Sequence, residues 1–319
     1  MRSPDVLVKV TTEHPDWPLL RQTPGSSGTW GRYRFAVNEP VEECDYWVVF
    51  EGLPAPETVQ CRSGATLLVT WEPPAGVRPA YEPGFLQQFG QVLTCHPRLR
   101  HPRVSRGQQG HPWFVGRSYD ELRHAAPPAK TVPLVIITSD KAFSRGHRQR
   151  FEFALALKER FGDDAQLVGR GIADFKDKWD VLAPARYAVA AENGVFRDWL
   201  TEKLPDCYLT GTFPLYHGAP NADRYFARDS FAAIDVADLD GSTRRIEALL
   251  SDEDHFPRSQ PVLAKAKARY LDELQLFPLL ASLIEADAAA LEQPRTAVSL
   301  RPEPPAALHR RLVNRWVSR

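Results

Sequence analysis

Residues 186–230 read RYAVAAENGVFRDWLTEKLPDCYLTGTFPLYHGAPNADRYFARDS, and their charged positions fall where a parallel α/β sheet does its chemistry. An apolar strand runs into Glu192-Asn193, a helix opens at Thr201-Glu202-Lys203, and a second apolar strand ends in Tyr216-His217-Gly218. Strand ends and helix starts of such sheets bind nucleotides, because outward-pointing backbone N–H groups and the helix dipole favour anions there. Thr201 suits a helix N-cap and Glu202 the first turn, so a plainly capped helix accounts for those two. Lys203 does not fit that account. A cation in the first turn has the wrong sign for the dipole and costs roughly a few tenths of a kcal/mol, a penalty that a bound anion would reverse.

Two other stretches carry chemistry-bearing residues. Thr138-Ser139-Asp140-Lys141-Ala142-Phe143-Ser144-Arg145-Gly146-His147-Arg148 follows an apolar strand and opens a helix, with hydroxyls, a glycine and several cations that suit a diphosphate. The alternative is a solvated basic helix end. In Val69-Thr70-Trp71-Glu72-Pro73-Pro74, a carboxylate fixed by two prolines follows an apolar strand. Glu72 there is either a general base or an exposed loop glutamate. The acidic triplets Asp238-Leu239-Asp240 and Asp252-Glu253-Asp254 lack a neighbouring apolar strand to present them, and no metal is expected at either. The sequence has no Walker lysine loop, GxGxxG, HExxH or GxSxG, and Gly169-Arg170-Gly171 is too short a match to carry weight.

The elements that must position these residues divide into two patterns. Short β-rich runs at Val6–Val10, Tyr46–Phe50, Leu67–Trp71 and Val92–Cys95 make up the first half. Ala125–Lys130, AAPPAK, is the best linker. Strand and helix then alternate: Leu134–Thr138, a helix over 146–161, Gln166–Val168, a helix over 177–183, Tyr187–Ala190, a helix from Thr201, and Phe213–Tyr216. That alternation predicts a parallel sheet with helices on both faces. The chain is mostly helical from Asp235 to Leu291, and a Pro-rich, basic end follows. The expected domains are 1–130 and 131–290, with 291–319 as a tail.

Composition excludes several classes. The 319 residues contain 40 Lys and Arg against 40 Asp and Glu, so no nucleic-acid signal exists in the overall charge. Four widely spaced cysteines form no zinc or CxxC pattern and predict free buried thiols. No apolar run is long enough to span a membrane, and the N-terminus lacks a signal-peptide core, so a cytoplasmic protein is expected. Arg310, Arg311, Arg315 and Arg319 with Leu312, Val313 and Trp316 offer either a peripheral contact with an anionic membrane surface, such as the inner membrane, or a solvated tail.

Over residues 186–235 the chain resembles glycosyltransferase family 10, the GDP-fucose-dependent α-1,3/4-fucosyltransferases of bacterial type. The matching residues are Glu192-Asn193, Trp199-Leu200-Thr201-Glu202-Lys203, Pro214-Leu215-Tyr216-His217-Gly218 and Ser230-Phe231 in the family's order and spacing. Ile137–Ser139 with Arg148-Gln149-Arg150-Phe151, and Trp71-Glu72-Pro73-Pro74, match more loosely. Ala191, Trp199 and His217 stand where the family more often has an aromatic residue, tyrosine and tryptophan. The resemblance implies an α/β protein of GT-B architecture, two Rossmann-like domains facing across a cleft, 1–130 on the acceptor side and 131–290 binding the nucleotide sugar. It implies an inverting transfer of L-fucose from GDP-fucose to a saccharide hydroxyl of an oligosaccharide or glycolipid acceptor, with Glu72 as base. Ser139, Arg148, Glu192, Asn193, Trp199, Thr201, Glu202 and Lys203 would form the donor site: Arg148 and Lys203 on the diphosphate, Glu202 on the ribose, Glu192 and Asn193 near the sugar. No cofactor is required, with room for a stimulating divalent cation. A transferase of another nucleotide sugar, or a non-catalytic nucleotide-sugar or glycan-binding protein, are the alternatives.

Overall fold

The structure, a computed structural model, describes residues 5–73, 81–139 and 145–303. Two compact units emerge, one comprising Met1–His111 with Gln275–Arg319, the other Pro112–Leu274.

The first unit is built on strands β1 (Val6–Thr12), β2 (Thr29–Trp30), β3 (Tyr33–Val37), β4 (Tyr46–Phe50), β5 (Glu57–Arg62), β6 (Thr66–Val69), β7 (Gln91–Thr94) and β8 (Val104–Arg106), with helix α1 (Pro83–Leu86) before β7. Seven of these strands form one sheet in the order β2-β3-β1-β4-β6-β7-β8, parallel except for the β2–β3 pair. YWVVF of β4 and TLLV of β6 are buried at every position, the pattern of parallel strands covered on both faces. Because the strands run one way, Glu51, Glu72 and His96 all come just past carboxyl ends on the same edge of the sheet, at β4, β6 and β7.

The second unit begins with α2 (Tyr119–His124), which starts in a capping box between Ser118 and Glu121. Strand and helix then alternate as β9 (Val132–Ile137), α3 (Arg145–Phe161), β10 (Ala165–Val168), α4 (Lys178–Leu182), β11 (Ala185–Ala191), α5 (Lys203–Leu209), β12 (Phe213–His217) and β13 (Ala232–Ala233). Helices α6 (Leu239–Ser251) and α7 (His255–Arg269) follow, the latter unwinding into a π turn at Tyr270–Leu274. The sheet is wholly parallel, in the order β10-β9-β11-β12-β13. Its central strand β11 therefore delivers Glu192 to the middle of the carboxyl edge.

From Gln275 the chain returns to the first unit through α8 (Leu276–Ala286), α9 (Ala288–Leu291) and β14 (Arg295–Leu300). Leu276, Phe277, Leu280 and Ile284 are completely buried in that unit's core, and Phe277 meets Phe35 edge-on at 5.0 Å. Buried Asp287 accepts hydrogen bonds from Tyr46 (2.8 Å) and Gln91 (2.5 Å) and pairs with Arg103. Strand β14 pairs antiparallel with β5.

These units differ from the division at 130 and 290. Trp113, Val115 and Leu122 already belong to the second core, so the crossing precedes the proline-rich segment. Helix α8 continues the helical run after Asp235 in sequence, yet its apolar face belongs to the first unit. Strand β14 occupies a stretch read as tail. All four cysteines are buried and none forms a disulfide. Among the described residues no helix is long and apolar enough to cross a membrane. The basic tail, 310–319, lies outside the described residues.

Leu280→Ala, far along the chain from the rest of the first unit, should destabilise that unit by about 2–5 kcal/mol through lost burial and a residual cavity. Urea unfolding followed by fluorescence checks this; a loss under about 1 kcal/mol would contradict the placement of α8.

Candidate functional site

The site of the second unit is organised around Glu192, which follows β11 and whose carboxylate is fully buried. Its amide donates to His217 O (2.7 Å), continuing the β11–β12 ladder by one residue. The carboxylate accepts the Thr201 amide (2.9 Å) and the Thr201 hydroxyl (2.7 Å to Oε2) and pairs with Lys203 Nζ at 3.2 Å. Lys203 Nζ also donates to Thr201 Oγ1 at 3.0 Å and lies 3.5 Å from Glu202. Thr201 is thus not the N-cap of α5. The cap is Glu202, whose side chain makes no capping hydrogen bond to the helix amides, and the threonine hydroxyl serves Glu192 instead. The wrong-sign cation at the helix start is accounted for by the same carboxylate.

A second layer of charge lies behind the first. Lys178, at the start of α4, donates to Glu202 (3.2 Å) and to Asp206 (2.9 Å), which is almost wholly buried and also accepts the Phe114 amide (3.1 Å). Burial alone would pull the Lys178 ammonium down, but Asp206 and Glu202 outweigh it and hold it above the ordinary lysine value. Burial also pushes the Tyr216 phenol well up, with Glu192 adding to the effect; that hydroxyl accepts the Ala219 amide at 2.9 Å.

Asn193 receives Nη1 of Arg150, the arginine of α3 that reaches this cluster. Arg150 is buried; the lost hydration lowers its pKa, and Glu192 and Glu202 pull it back. Arg148 is exposed two residues earlier on the same helix. The signal distinguishing the two was periodicity: Arg150 shares a face with Phe153, Ala154 and Leu157, all buried, at i+3, i+4 and i+7. Two donors here have no hydrogen-bond partner among the described residues, Arg150 Nε and the hydroxyl of Thr138, which directly follows β9. Both residues are more than nine-tenths buried. Such orphan donors cost about 1–3 kcal/mol each unless something accepts from them.

Close packing leaves the turn at 192–193 little freedom. A Cβ on Gly218 would fall 2.6 Å from Glu192 Cγ and 2.3 Å from the Tyr216 hydroxyl, and one on Gly146 would fall 2.3 Å from Asn193 O. Gly169, of the short Gly-Arg-Gly stretch, has φ +139° and sits against the backbone of Thr138, where a Cβ would be 1.6 Å from the carbonyl oxygen.

The structure therefore groups Glu192, Asn193, Thr201, Glu202 and Lys203, and adds Arg150 and Thr138, which stood in quoted stretches without an assigned role, and Lys178 and Asp206, which the sequence reading missed. Ser139 is half-buried one residue beyond Thr138, and Trp199 is buried, its ring edge-on to Phe196 at 5.8 Å. Residues 140–144 lie outside the described residues. The acidic triplets have local roles: Asp238 accepts Gly241 N at the start of α6, and Asp252 pairs with Arg258. Among the described residues no three His, Cys, Asp or Glu gather to hold a metal ion.

Glu72 belongs to the first unit and is half-buried. Its amide donates to Glu51 Oε1 at 2.6 Å, and its carbonyl accepts from His96 Nε2 at 3.0 Å. Glu51 is buried, accepts the Tyr81 hydroxyl at 2.7 Å and the Trp71 amide, and was not singled out by any sequence pattern.

No protein-family model matches this sequence, and no curated protein matches it either. Among solved structures the chain is similar to an α1,3-fucosyltransferase with GDP, at 15% identity and a TM-score of 0.54, over 92% of this chain and 93% of that one. It is likewise similar to an α1,3-fucosyltransferase structure with neither ligand in its name (15%, TM-score 0.52, 92% of each) and to one with GDP-fucose (15%, 0.50, 92% of each). The architecture is that of the GT-B class, two α/β units, one built on a mostly parallel sheet and the other on a wholly parallel one.

At the far end of α5, Lys130 Nζ donates to Thr210 O (2.9 Å) and Thr212 Oγ1 (3.0 Å), and burial pushes its ammonium down from 10.5 to about 7. Above pH 7 the folded state holds this lysine neutral while the unfolded chain still binds the proton. Stability should therefore rise with pH between about 7 and 10.5, and below pH 7 the full cost of charging the buried amine remains. Chemical denaturation from pH 7 to 9.5 checks this: Lys130→Met should flatten that rise, and an unchanged slope would contradict it.

Proposed function

We propose that the chain is a glycosyltransferase that moves L-fucose from GDP-fucose to a saccharide hydroxyl with inversion, without a required metal. The observation that carries the reading is the pair of buried donors lacking acceptors, Arg150 Nε and the Thr138 hydroxyl, beside the Glu192–Lys203 cluster at the carboxyl edge of a parallel sheet. Diphosphate oxygens are acceptors of the right kind, and a guanidinium fork meets them with directed hydrogen bonds. The similarity to fucosyltransferase structures named with GDP and GDP-fucose supports the choice of nucleotide.

In this reading Arg150 takes the diphosphate role first given to Arg148. Lys203 shares its ammonium between Glu192 and the donor, and Glu202 is the ribose contact. Glu72 removes the proton from the acceptor hydroxyl as its oxygen attacks the anomeric carbon and the bond to GDP breaks. Arg150 and Lys203 offset the charge that grows on the departing phosphate, the kind of preorganised electrostatic stabilisation that needs no metal. The acceptor is an oligosaccharide or a glycolipid.

A panel of nucleotide sugars tested for hydrolysis decides the donor: GDP-fucose should turn over, and turnover of GDP-mannose or UDP-glucose with GDP-fucose inert would overturn the choice. Glu72→Ala should abolish transfer while GDP-fucose affinity survives.

Calorimetry on Arg150→Lys, which keeps the charge but loses Nε, should show GDP affinity falling about tenfold, equal to about 1.4 kcal/mol. Lys203→Ala should weaken GDP as well and also lower stability by about 3–5 kcal/mol, because Glu192 is left buried without its cation. Unchanged GDP affinity in both variants would contradict the diphosphate assignment.

A further inference from the structure

Glu72 lies three residues past the end of β6, and side chains hold both of its peptide groups. Its N–H donates to Glu51 Oε1 at 2.6 Å, and its C=O accepts from His96 Nε2 at 3.0 Å. A carbonyl only accepts, so the His96 ring carries its proton on Nε2. The two side chains come from the strands that flank β6 in the sheet: Glu51 directly follows β4, and His96 follows β7.

Of the two, Glu51 is the more unusual. Its carboxylate is buried and, among the described residues, gathers the amides of Trp71 and Glu72 on Oε1 and the Tyr81 hydroxyl on Oε2 at 2.7 Å. Its backbone lies at φ +59°, the left-handed region that side chains other than glycine seldom adopt, although its amide still closes the ladder to Val69 O at 2.9 Å. A non-glycine residue in that conformation persists where the surroundings over-determine it, and such positions cluster at functional sites. Trp71 is buried among Phe50 (4.5 Å), Trp17 (4.9 Å) and His111 (5.5 Å), so the residue before Glu72 is clamped through its ring as well.

We infer that Glu51 is the positioning residue of the reaction, its carboxylate holding the backbone of Glu72 so that the Glu72 side chain stands where the acceptor hydroxyl is deprotonated. This rests on the reading of Glu72 as the base. A carboxylate suits the task because one of its oxygens receives two converging amides while the other receives a phenol. Misplacing a catalytic group by about 1 Å costs on the order of 100-fold in rate without touching donor binding.

The test uses hydrolysis of GDP-fucose by the full chain, in which water replaces the acceptor hydroxyl and gives its proton to the same base. Glu51→Leu leaves two buried amides unpaired and should lower kcat about 100-fold. GDP affinity by calorimetry should stay within about twofold, since the proposed donor contacts lie on other residues. Glu51→Gln keeps an oxygen for both amides and should restore kcat to within about tenfold of the parent. Deuterium exchange of the peptide covering 67–73 should speed up in the leucine variant and not in the glutamine one. Should Glu51→Leu fail to fold, Glu51→Asp keeps the charge while withdrawing the acceptor by one methylene, and the same split between kcat and GDP affinity is expected. A folded Glu51→Leu or Glu51→Asp with kcat near the parent's, while Glu72→Gln is inactive, overturns the role of Glu51 and leaves the base in place. Full turnover by Glu72→Gln overturns the base and this inference with it.

Discussion

A carboxylate sealed from solvent at the end of a central strand sets the terms for the second unit. Burying a charge costs several kcal/mol unless it is paired and hydrogen-bonded. Glu192 meets that requirement with the amide and hydroxyl of Thr201 and the ammonium of Lys203. Much else follows. Thr201 is drawn away from the start of α5, position 218 must lack a side chain, and the loop between β11 and α5 has to fold back on the strand end. A second buried pair, Lys178 with Asp206, ties α4 to α5 behind it. The charged surface near the proposed donor is thus a built structure with one permitted arrangement rather than a patch of solvated side chains.

The cluster is also balanced. Among its described residues Arg150, Lys178 and Lys203 stand against Glu192, Glu202 and Asp206, so these six carry no excess positive charge with which to draw in an anion. What it offers is direction. Two buried donors lack acceptors, and the neighbouring charges are already fixed in place. Recognition by unsatisfied hydrogen-bond donors discriminates more sharply than recognition by net charge, because a ligand that fails to reach them leaves their desolvation uncompensated.

Much of this was legible in the sequence where the information is local. The strands β4, β9, β11 and β12 announce themselves as apolar runs, and α3 as a periodic one. Glu192, Asn193 and Thr201–Lys203 stand out through their order along the chain. Partners brought together by the fold were not legible. Lys178 and Asp206 are 28 positions apart with no motif linking them, and Glu51 is an unremarkable acid until its backbone turns. The choice between Arg148 and Arg150 was open to the sequence, since the second lies on the buried stripe of α3 and the first does not. Strand β14 was hidden for a different reason: its residues are mostly exposed, so no alternation of burial marks it, and only its pairing with β5 makes it a strand.

The two units also differ in how the chain builds them. The second is one continuous stretch, whereas the first lacks α8 and β14 until the chain has passed through the second. On a ribosome adding about 5–20 residues per second, the first unit's sheet would wait roughly 10–40 s for Phe277, Leu280 and Ile284 to cover it. During that interval its strands have no complete core, while the second unit can finish. The order of completion is therefore the reverse of the order of the sheets in the sequence, and the unit begun first is closed last.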